Sequence, residues 1–149
     1  MARRLFWVSC LVALVTAQPA HALIRKRPAD LPDVDIEIQE TPKSCSRKTQ
    51  TGDRLSLDYV GYLRDGRQFD SSYERKRPFD FTLGSDMVIK GWHKGLLNMC
   101  EGEKRKLTIP PHLGYGDAGA GNIIPPKAIL LFNMSLLKIN KPFGGHDEL

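Results

Sequence analysis

The sequence predicts one α+β domain in which an antiparallel sheet of about five strands wraps around a single short α-helix. Two observations lead to this fold class. Several segments alternate apolar and polar residues, a pattern typical of strands with one buried face. Only residues 88–99 repeat apolar residues at the spacing of a helix. A lone helix buries its apolar side against a sheet, which gives a two-layer α+β arrangement.

The first half of the chain supplies three predicted strands and one predicted turn. In residues 34–38, a valine and two isoleucines alternate with acidic residues, which predicts a short, half-buried strand. A longer alternation follows in residues 55–63, and Asp65-Gly66 after it is the strongest hairpin signal in the chain. Residues 79–83 alternate two phenylalanines and a leucine with polar residues, which predicts the third strand.

The second half supplies the helix and two further strands. Gly91 and Gly95 weaken helix propensity within residues 88–99, so the helix is expected to be short. Residues 104–109 alternate charged residues with smaller or apolar ones, which predicts a strand with one wet face. Residues 128–139 form the longest apolar run outside the N-terminus, which predicts the central strand.

Both ends of the chain carry targeting signals. Residues 1–22 combine two arginines, an apolar run and a small-residue cleavage site, as a secretory signal peptide does. A retained signal anchor is the alternative, but the run is shorter than the about 20 residues of a membrane-spanning helix. The chain ends in the retrieval signal of the endoplasmic reticulum, His146-Asp147-Glu148-Leu149. We expect a protein of the endoplasmic reticulum lumen, with no membrane insertion after signal cleavage.

Signal cleavage leaves 127 of the 149 residues, enough for one domain with a hydrophobic core. We predict a flexible N-terminal segment with a short strand in residues 23–42, the folded domain in residues 43–141 and a tail in residues 142–149. Cleavage removes two arginines and no acid, so the formal net charge falls from +5 to +3. So small a charge gives no reason to expect nucleic-acid binding.

Two cysteines remain after signal cleavage, since Cys10 lies within residues 1–22. An even pair in an oxidising compartment predicts a disulfide between Cys45 and Cys100. The chain-entropy estimate for this cross-link is roughly 4 kcal/mol of stability. Two free buried thiols are the alternative. The cysteines form no CxxC motif, so a thiol oxidoreductase is not indicated.

The sequence offers no arrangement for covalent, metal or phosphate chemistry. It contains no evident Ser/His/Asp grouping, and His93 and His112 lack metal-ligand spacing. The glycine-rich residues 114–121 lack the spacing of a phosphate-binding loop. What the chain offers instead is aromatic side chains on several elements that must converge in a small domain. Simple core packing is the alternative explanation for each of them.

Six short motifs occur in order, without gaps, from about residue 50 to residue 140. They are Tyr59-Val60-Gly61, Asp65-Gly66 followed by Phe69-Asp70-Ser71-Ser72, Pro78-Phe79-Asp80-Phe81, Val88-Ile89-Lys90-Gly91-Trp92, Leu113-Gly114-Tyr115-Gly116, and Ile123-Ile124-Pro125-Pro126. This series resembles the successive motifs of the FKBP-type peptidyl-prolyl isomerases, the immunophilins that bind tacrolimus. The resemblance implies an FKBP-like fold and a rotamase that accelerates X-Pro isomerisation during protein folding, with no cofactor and no metal. FKBP-type proteins of the secretory pathway also resemble this chain in having paired cysteines at the positions of Cys45 and Cys100.

The resemblance also implies a site. Trp92 would form the pocket floor, and the walls would be Tyr59, Phe69, Phe79, Val88, Ile89 and Phe132. The backbone N–H of Ile89 and the hydroxyl of Tyr115 would donate to the substrate, and Asp70 would accept or orient. Arg75 matches a basic position that can pair with Asp70, and Ile124 would line the loop side. Phe69, Asp70, Ile89, Trp92 and Tyr115 are thus the expected catalytic residues.

Two positions depart from the family pattern. Met87 stands where an acidic residue contributes a backbone contact to ligands, and Ala120 stands where a histidine is common. Both departures concern ligand affinity and substrate preference rather than activity.

The resemblance implies three kinds of partner: X-Pro segments of unfolded or nascent secretory proteins, tacrolimus-type macrolides, and the retrieval receptor that reads the last four residues. A non-catalytic binding module on the same scaffold is the alternative function. Asn133-Met134-Ser135 has the form of a glycosylation sequon. We expect it to stay unoccupied because it lies within the predicted central strand.

Overall fold

The computed structural model of the protein describes residues 32–140. The predicted signal peptide and the predicted retrieval signal lie outside these residues. One helix and six strands are present in the described part, and their bounds are β1 Asp35–Glu40, β2 Arg54–Leu63, β3 Gln68–Ser71, β4 Phe79–Thr82, α1 Lys90–Gly95, β5 Lys104–Ile109 and β6 Leu130–Asn140. The strands form one sheet in the order β1-β5-β6-β2-β3, with β4 also paired to β2. All pairs are antiparallel, which confirms the predicted α+β class.

Strand β6 is the central strand, as the apolar run predicts. It pairs with β2 from Arg54↔Asn140 to Leu63↔Leu130 and with β5 on its other side. Side chains on its inner face, such as Leu130, are fully buried, because the helix and the sheet enclose them.

Strand β3 is the one strand that the sequence did not predict. It is four residues long and pairs with the second half of β2, where a bulge interrupts the register between Gly61 and Tyr62. The turn that joins the two strands lies where Asp65-Gly66 predicts it, and Gly66 has a φ of +89°. Strand β4 pairs with the first half of β2, so β3 and β4 share one edge of that strand.

The helix is shorter than the predicted residues 88–99, because it ends at Gly95 and Asn98 adopts a left-handed φ of 56°. Its two glycines have a packing role. A Cβ on Gly91 or Gly95 would lie 2.5 Å from the side chain of Ile109 or Leu107. The absence of side chains at these positions therefore lets the helix lie directly on β5.

Of the two predictions about strand burial, the one for β1 is wrong and the one for β5 is confirmed. Ile36 and Ile38 are exposed at 41% and 55%, so β1 is not half-buried. The physical reason is that β1 lies at the sheet edge and pairs only with β5. Strand β5 has one exposed face, as predicted, and Arg105 lies on its opposite, buried face. Its guanidinium pairs with the buried Glu103 at 2.6 Å and donates to the carbonyl of Gly95 at 2.7 Å, so the charge is satisfied inside the fold.

The end of the helix is tied to the segment that precedes β2. Cys45 and Cys100 form the predicted disulfide, with their Cα atoms 5.5 Å apart. Nearby, the buried Thr49 donates its hydroxyl proton to the carbonyl of Leu96 at 2.5 Å and accepts from the N–H of Met99 at 2.8 Å. These contacts fix the position of the helix over the sheet.

Residues 32–140 lack a membrane-spanning helix and a cluster of metal ligands. No helix in this part of the chain is long and apolar enough to span a membrane. No group of three or more His, Cys, Asp or Glu side chains there is arranged to hold a metal ion.

Candidate functional site

An open cavity of about 620 Å³ lies where the start of the helix meets β2, β3 and β4. Its lining is Ser56, Tyr59, Phe69, Asp70, Arg75, Arg77, Pro78, Phe79, Asp80, Met87, Val88, Ile89, Trp92, Tyr115 and Phe132. The lining combines six aromatic side chains with a small number of polar groups and contains no histidine, cysteine or lysine. Such a lining binds an apolar group and orients it with a few hydrogen bonds.

Trp92, on the helix, forms the floor of the cavity and is 4% exposed. Four rings meet it edge to face: Tyr59 at 4.9 Å, Phe132 at 5.2 Å, and Phe79 and Phe81 each at 5.8 Å between centroids. Each such ring pair contributes about 0.5–1.5 kcal/mol beyond the area it buries. The floor of the cavity is therefore also part of the hydrophobic core.

Phe69 completes the wall because Gly61 leaves room for its ring. It packs against Phe132 with the ring planes 85° apart and the centroids 5.5 Å apart. A Cβ on Gly61 would lie 2.7 Å from the Phe69 ring and 2.8 Å from the Phe132 ring. The absence of a side chain at Gly61 is thus what allows the two rings to meet over β2.

The polar side of the cavity is a three-residue cluster of Tyr59, Asp70 and Arg75. The Tyr59 hydroxyl donates to one Asp70 oxygen, and the Arg75 guanidinium donates to the other at 2.5 Å. Arg75 also donates to the Tyr59 hydroxyl at 2.6 Å and lies 5.4 Å from the centre of its ring. Each member of the cluster is hydrogen-bonded to the other two, and these bonds hold each side chain in one orientation.

The cluster fixes the protonation of its members. Partial burial acts to raise the pKa of Asp70, but the hydrogen bonds from Tyr59 and Arg75 outweigh it and leave that pKa below its ordinary value. Burial, followed by the hydrogen bond to Asp70, raises the pKa of Tyr59 to about 12. At neutral pH the cavity therefore presents a carboxylate, a neutral phenol and a guanidinium.

The rim of the cavity is exposed and carries a second phenol. Tyr115 is 40% exposed, and burial together with the nearby Asp70 charge raises the pKa of its hydroxyl. Across the rim, Met87 is 65% exposed and is followed by Val88 and Ile89 before the helix begins. The neutral Tyr115 hydroxyl can donate a hydrogen bond to a group bound in the cavity.

The structure brings nine of the ten predicted substrate-binding side chains into this lining. The exception is Ile124, which is 5% exposed and belongs to the hydrophobic core. The backbones of Ala120 and Ile124 exchange hydrogen bonds of 2.9 and 3.0 Å. This pairing forms a tight turn at residues 120–124 within the longer loop that carries Tyr115, while the Ile124 side chain packs into the core.

Sequence reasoning gave no role to four lining residues: Ser56, Arg77, Pro78 and Asp80. Pro78 and Asp80 flank Phe79 in one of the six motifs. Their position next to a predicted wall residue could have indicated that they line the cavity. Ser56 donates its hydroxyl proton to Asp80 across paired strands, which the sequence alone does not reveal.

Comparisons with known proteins agree with this architecture. Residues 45–137 match the family described as FKBP-type peptidyl-prolyl cis-trans isomerase. FK506-binding protein 2 of Yarrowia lipolytica is 52% identical over 109 residues, which cover 73% of this chain and 75% of that protein. Peptidyl-prolyl cis-trans isomerase FKBP2 of Bos taurus is 47% identical over 143 residues, 93% of this chain and 96% of that protein. FK506-binding protein 2B of Rhizopus delemar is 47% identical over 135 residues, 90% of this chain but 64% of that longer protein.

The matched residues include the helix, the elements that supply the cavity and five of the six strands. A match of this extent, at such identities over most of several relatives, identifies the family. The chain belongs to the FKBP-type peptidyl-prolyl cis-trans isomerases.

Proposed function

We propose that this protein isomerises X-Pro bonds of secretory proteins that fold in the endoplasmic reticulum lumen, and that the cavity over Trp92 is its active site. The observation that supports this most is the lining itself. A buried aromatic floor is bordered by a closed polar cluster on one side and a phenol on the rim. A proline ring fits the apolar floor, and the flanking peptide carbonyls fit the donors around it.

The chemistry needs no nucleophile. The barrier to rotation about a peptide bond is about 18–20 kcal/mol, because rotation breaks the amide resonance. The twisted transition state separates less charge than the planar amide, so an apolar cavity disfavours it less than it disfavours the ground state. Hydrogen bonds placed to hold the twisted geometry add to this difference.

The roles follow from the position of each group. Trp92 supports the proline ring, and Phe69 and Phe79 enclose it. The backbone N–H of Ile89 and the hydroxyl of Tyr115 donate to substrate carbonyls, and Asp70 orients the twisted amide. Ile124 contributes through the loop that carries Tyr115, since its own side chain is in the core.

The same cavity is the proposed site for tacrolimus-type macrolides. Relatives from Yarrowia lipolytica and Rhizopus delemar are named FK506-binding proteins, which supports this proposal. Bound macrolide would occupy the floor at Trp92 and exclude peptide.

A protease-coupled assay on an X-Pro peptide tests the activity. We expect a rate above the uncatalysed background that disappears when a tacrolimus-type macrolide is added in slight excess. The variant Arg67→Gln is the matched control, because Arg67 is a charged residue outside the cavity lining, and it should behave as the original chain does. A folded protein that gives only the background rate would exclude the enzymatic function.

The proposed location depends on the two ends of the chain. Residues 1–22 would direct the chain into the secretory pathway, and His146-Asp147-Glu148-Leu149 would return it through the retrieval receptor. Expression of the full chain with and without the last four residues tests this. The full chain should stay inside the cell, and the shortened chain should reach the medium; equal secretion of both would contradict retrieval.

A further inference from the structure

Four charged side chains line the cavity, and three of them are held by partners. Asp70 and Arg75 are paired with each other within the polar cluster. Asp80 accepts a hydrogen bond from Ser56 and lies 3.9 Å from the guanidinium of Arg54. These contacts partly neutralise each of the three charges before any substrate enters.

Arg77 is the exception. Its side chain is exposed, it lines the cavity, and it makes no ion pair or hydrogen bond within residues 32–140. It stands immediately before Pro78 and Phe79, so its backbone is connected directly to one wall of the binding site. The cavity therefore has one cation at its mouth that is available to a ligand.

The other residues that line the cavity do not neutralise the positive charge of Arg77. Met87, also in the lining, is apolar and 65% exposed. The one carboxylate in the lining outside the polar cluster is Asp80, which Arg54 and Ser56 already engage. A carboxylate on a bound peptide would meet the free guanidinium of Arg77, with which it can form a charge-assisted hydrogen bond.

We propose that Arg77 is a specificity-determining residue that makes this isomerase prefer X-Pro segments with an acidic side chain next to the proline. This inference rests on the proposed function and names a substrate class for the same site. Arg77 acts on substrate selection through charge, and the isomerisation itself depends on the floor and the donors. Because the guanidinium is exposed, the preference is modest, about two- to fivefold in kcat/KM.

Paired peptides test the preference. They differ only by Glu or Gln, placed either directly before or directly after the proline, and kcat/KM is measured by exchange NMR for each. The Glu peptide of at least one pair should be the better substrate by about two- to fivefold at low ionic strength. At about 1 M salt, where the Debye length falls to about 3 Å, the ratio should approach one.

Variants assign the effect to one side chain. Arg77→Gln should bring the Glu-to-Gln ratio to one, and Arg77→Glu should invert it. Lys76→Gln removes the same charge from the neighbouring residue, which does not line the cavity, and should keep the ratio of the original chain. A ratio that is the same in Arg77→Gln as in the original chain would overturn the inference.

The two proposals fail in different ways. If the original chain turns over neither peptide of a pair, the proposed function is wrong and this inference is wrong with it. If it turns over both at equal rates at low ionic strength, the isomerase function stands and the role of Arg77 is rejected. If Lys76→Gln and Arg77→Gln lower the ratio equally, the effect belongs to the net charge of the loop, which also rejects the assignment.

Discussion

The floor and the rim of the cavity differ in what supports them. On the floor, Trp92 is 4% exposed and is surrounded by four rings that belong to strands of the sheet, those of Tyr59, Phe79, Phe81 and Phe132. On the rim, Tyr115 is 40% exposed and lies in a loop outside the sheet. The floor is part of the hydrophobic core, whereas the rim consists of exposed side chains that contribute little to core packing.

This difference predicts that stability and activity are coupled on the floor and separable on the rim. A substitution on the floor removes packing that the fold needs as well as the surface that we propose binds proline. A rim substitution removes a proposed contact to substrate and leaves the packing of the core intact.

Replacing the floor should have the largest effect. Trp92→Ala should lower the free energy of unfolding by about 3–5 kcal/mol, because it leaves a cavity among four aromatic rings. The same variant should lose isomerase activity under conditions in which it is still folded. Urea denaturation and the coupled assay measure the two losses, and Trp92→Phe, which keeps an aromatic ring, should lose less of both. A stability loss below about 1 kcal/mol would show that the floor is not part of the core.

Removing the disulfide should separate stability from activity at a distance from the cavity. The double variant Cys45→Ala with Cys100→Ala should lose about 2–4 kcal/mol of stability, since the cross-link restricts the unfolded chain. Its kcat/KM should be unchanged at a temperature where circular dichroism shows it fully folded. A lower kcat/KM in the fully folded double variant would mean that the disulfide positions the helix for catalysis.

The polar cluster should contribute stability that depends on pH. The pKa of Asp70 is lowered in the folded protein, so the ionised cluster stabilises the fold above the unfolded-state pKa, which is about 4. This contribution is lost as the pH falls through the lower, folded-state pKa. The stability difference between the original chain and Asp70→Asn should therefore be constant from about pH 5 to 7 and shrink below about pH 4. A difference that persists unchanged at acid pH would show that ionisation of Asp70 is irrelevant.

The rim should show the smallest effect on stability. Tyr115→Phe removes one hydroxyl from an exposed side chain, so the free energy of unfolding should change by less than about 0.5 kcal/mol. The activity should fall by about two- to tenfold, the value of one hydrogen bond to the substrate. Thermal denaturation measures the change in stability, and the protease-coupled assay measures the change in activity. Full activity in Tyr115→Phe would remove the hydroxyl from the mechanism.

Sequence reasoning succeeded where a local pattern determines the structure. Alternation predicted β2, β4 and β5, an apolar run predicted β6, and one motif series predicted which rings surround Trp92. It failed where the outcome depends on neighbours distant in sequence. Ile36 and Ile38 alternate as a half-buried strand does, but their strand is at the sheet edge.

Sequence reasoning also failed to predict the burial of Arg105 and the pairing of the charged side chains around the cavity. Arg105 sits in a charged alternating segment, yet it is buried because Glu103 and the carbonyls at the end of the helix satisfy it. Nothing in the order of residues indicates that pairing. Likewise, the free state of Arg77 follows from which acids have other partners, and those partners are known only from the fold.

Trp92 offers the most direct test of the central claim, that X-Pro bonds are isomerised in the cavity above its ring. The chain has two tryptophans, and Trp7 lies in the predicted signal peptide, so the chain from residue 23 contains Trp92 alone. Its indole N–H is buried and makes no hydrogen bond within the described residues, and it gives one NMR signal that reports on the floor. In one sample, an X-Pro peptide should show accelerated cis–trans exchange together with a shift of this signal. A tacrolimus-type macrolide should return the cis–trans exchange to its uncatalysed rate. It should also leave the indole N–H signal at a new position that no longer depends on the peptide. Accelerated exchange with an unmoved indole signal would place the reaction elsewhere and contradict the account.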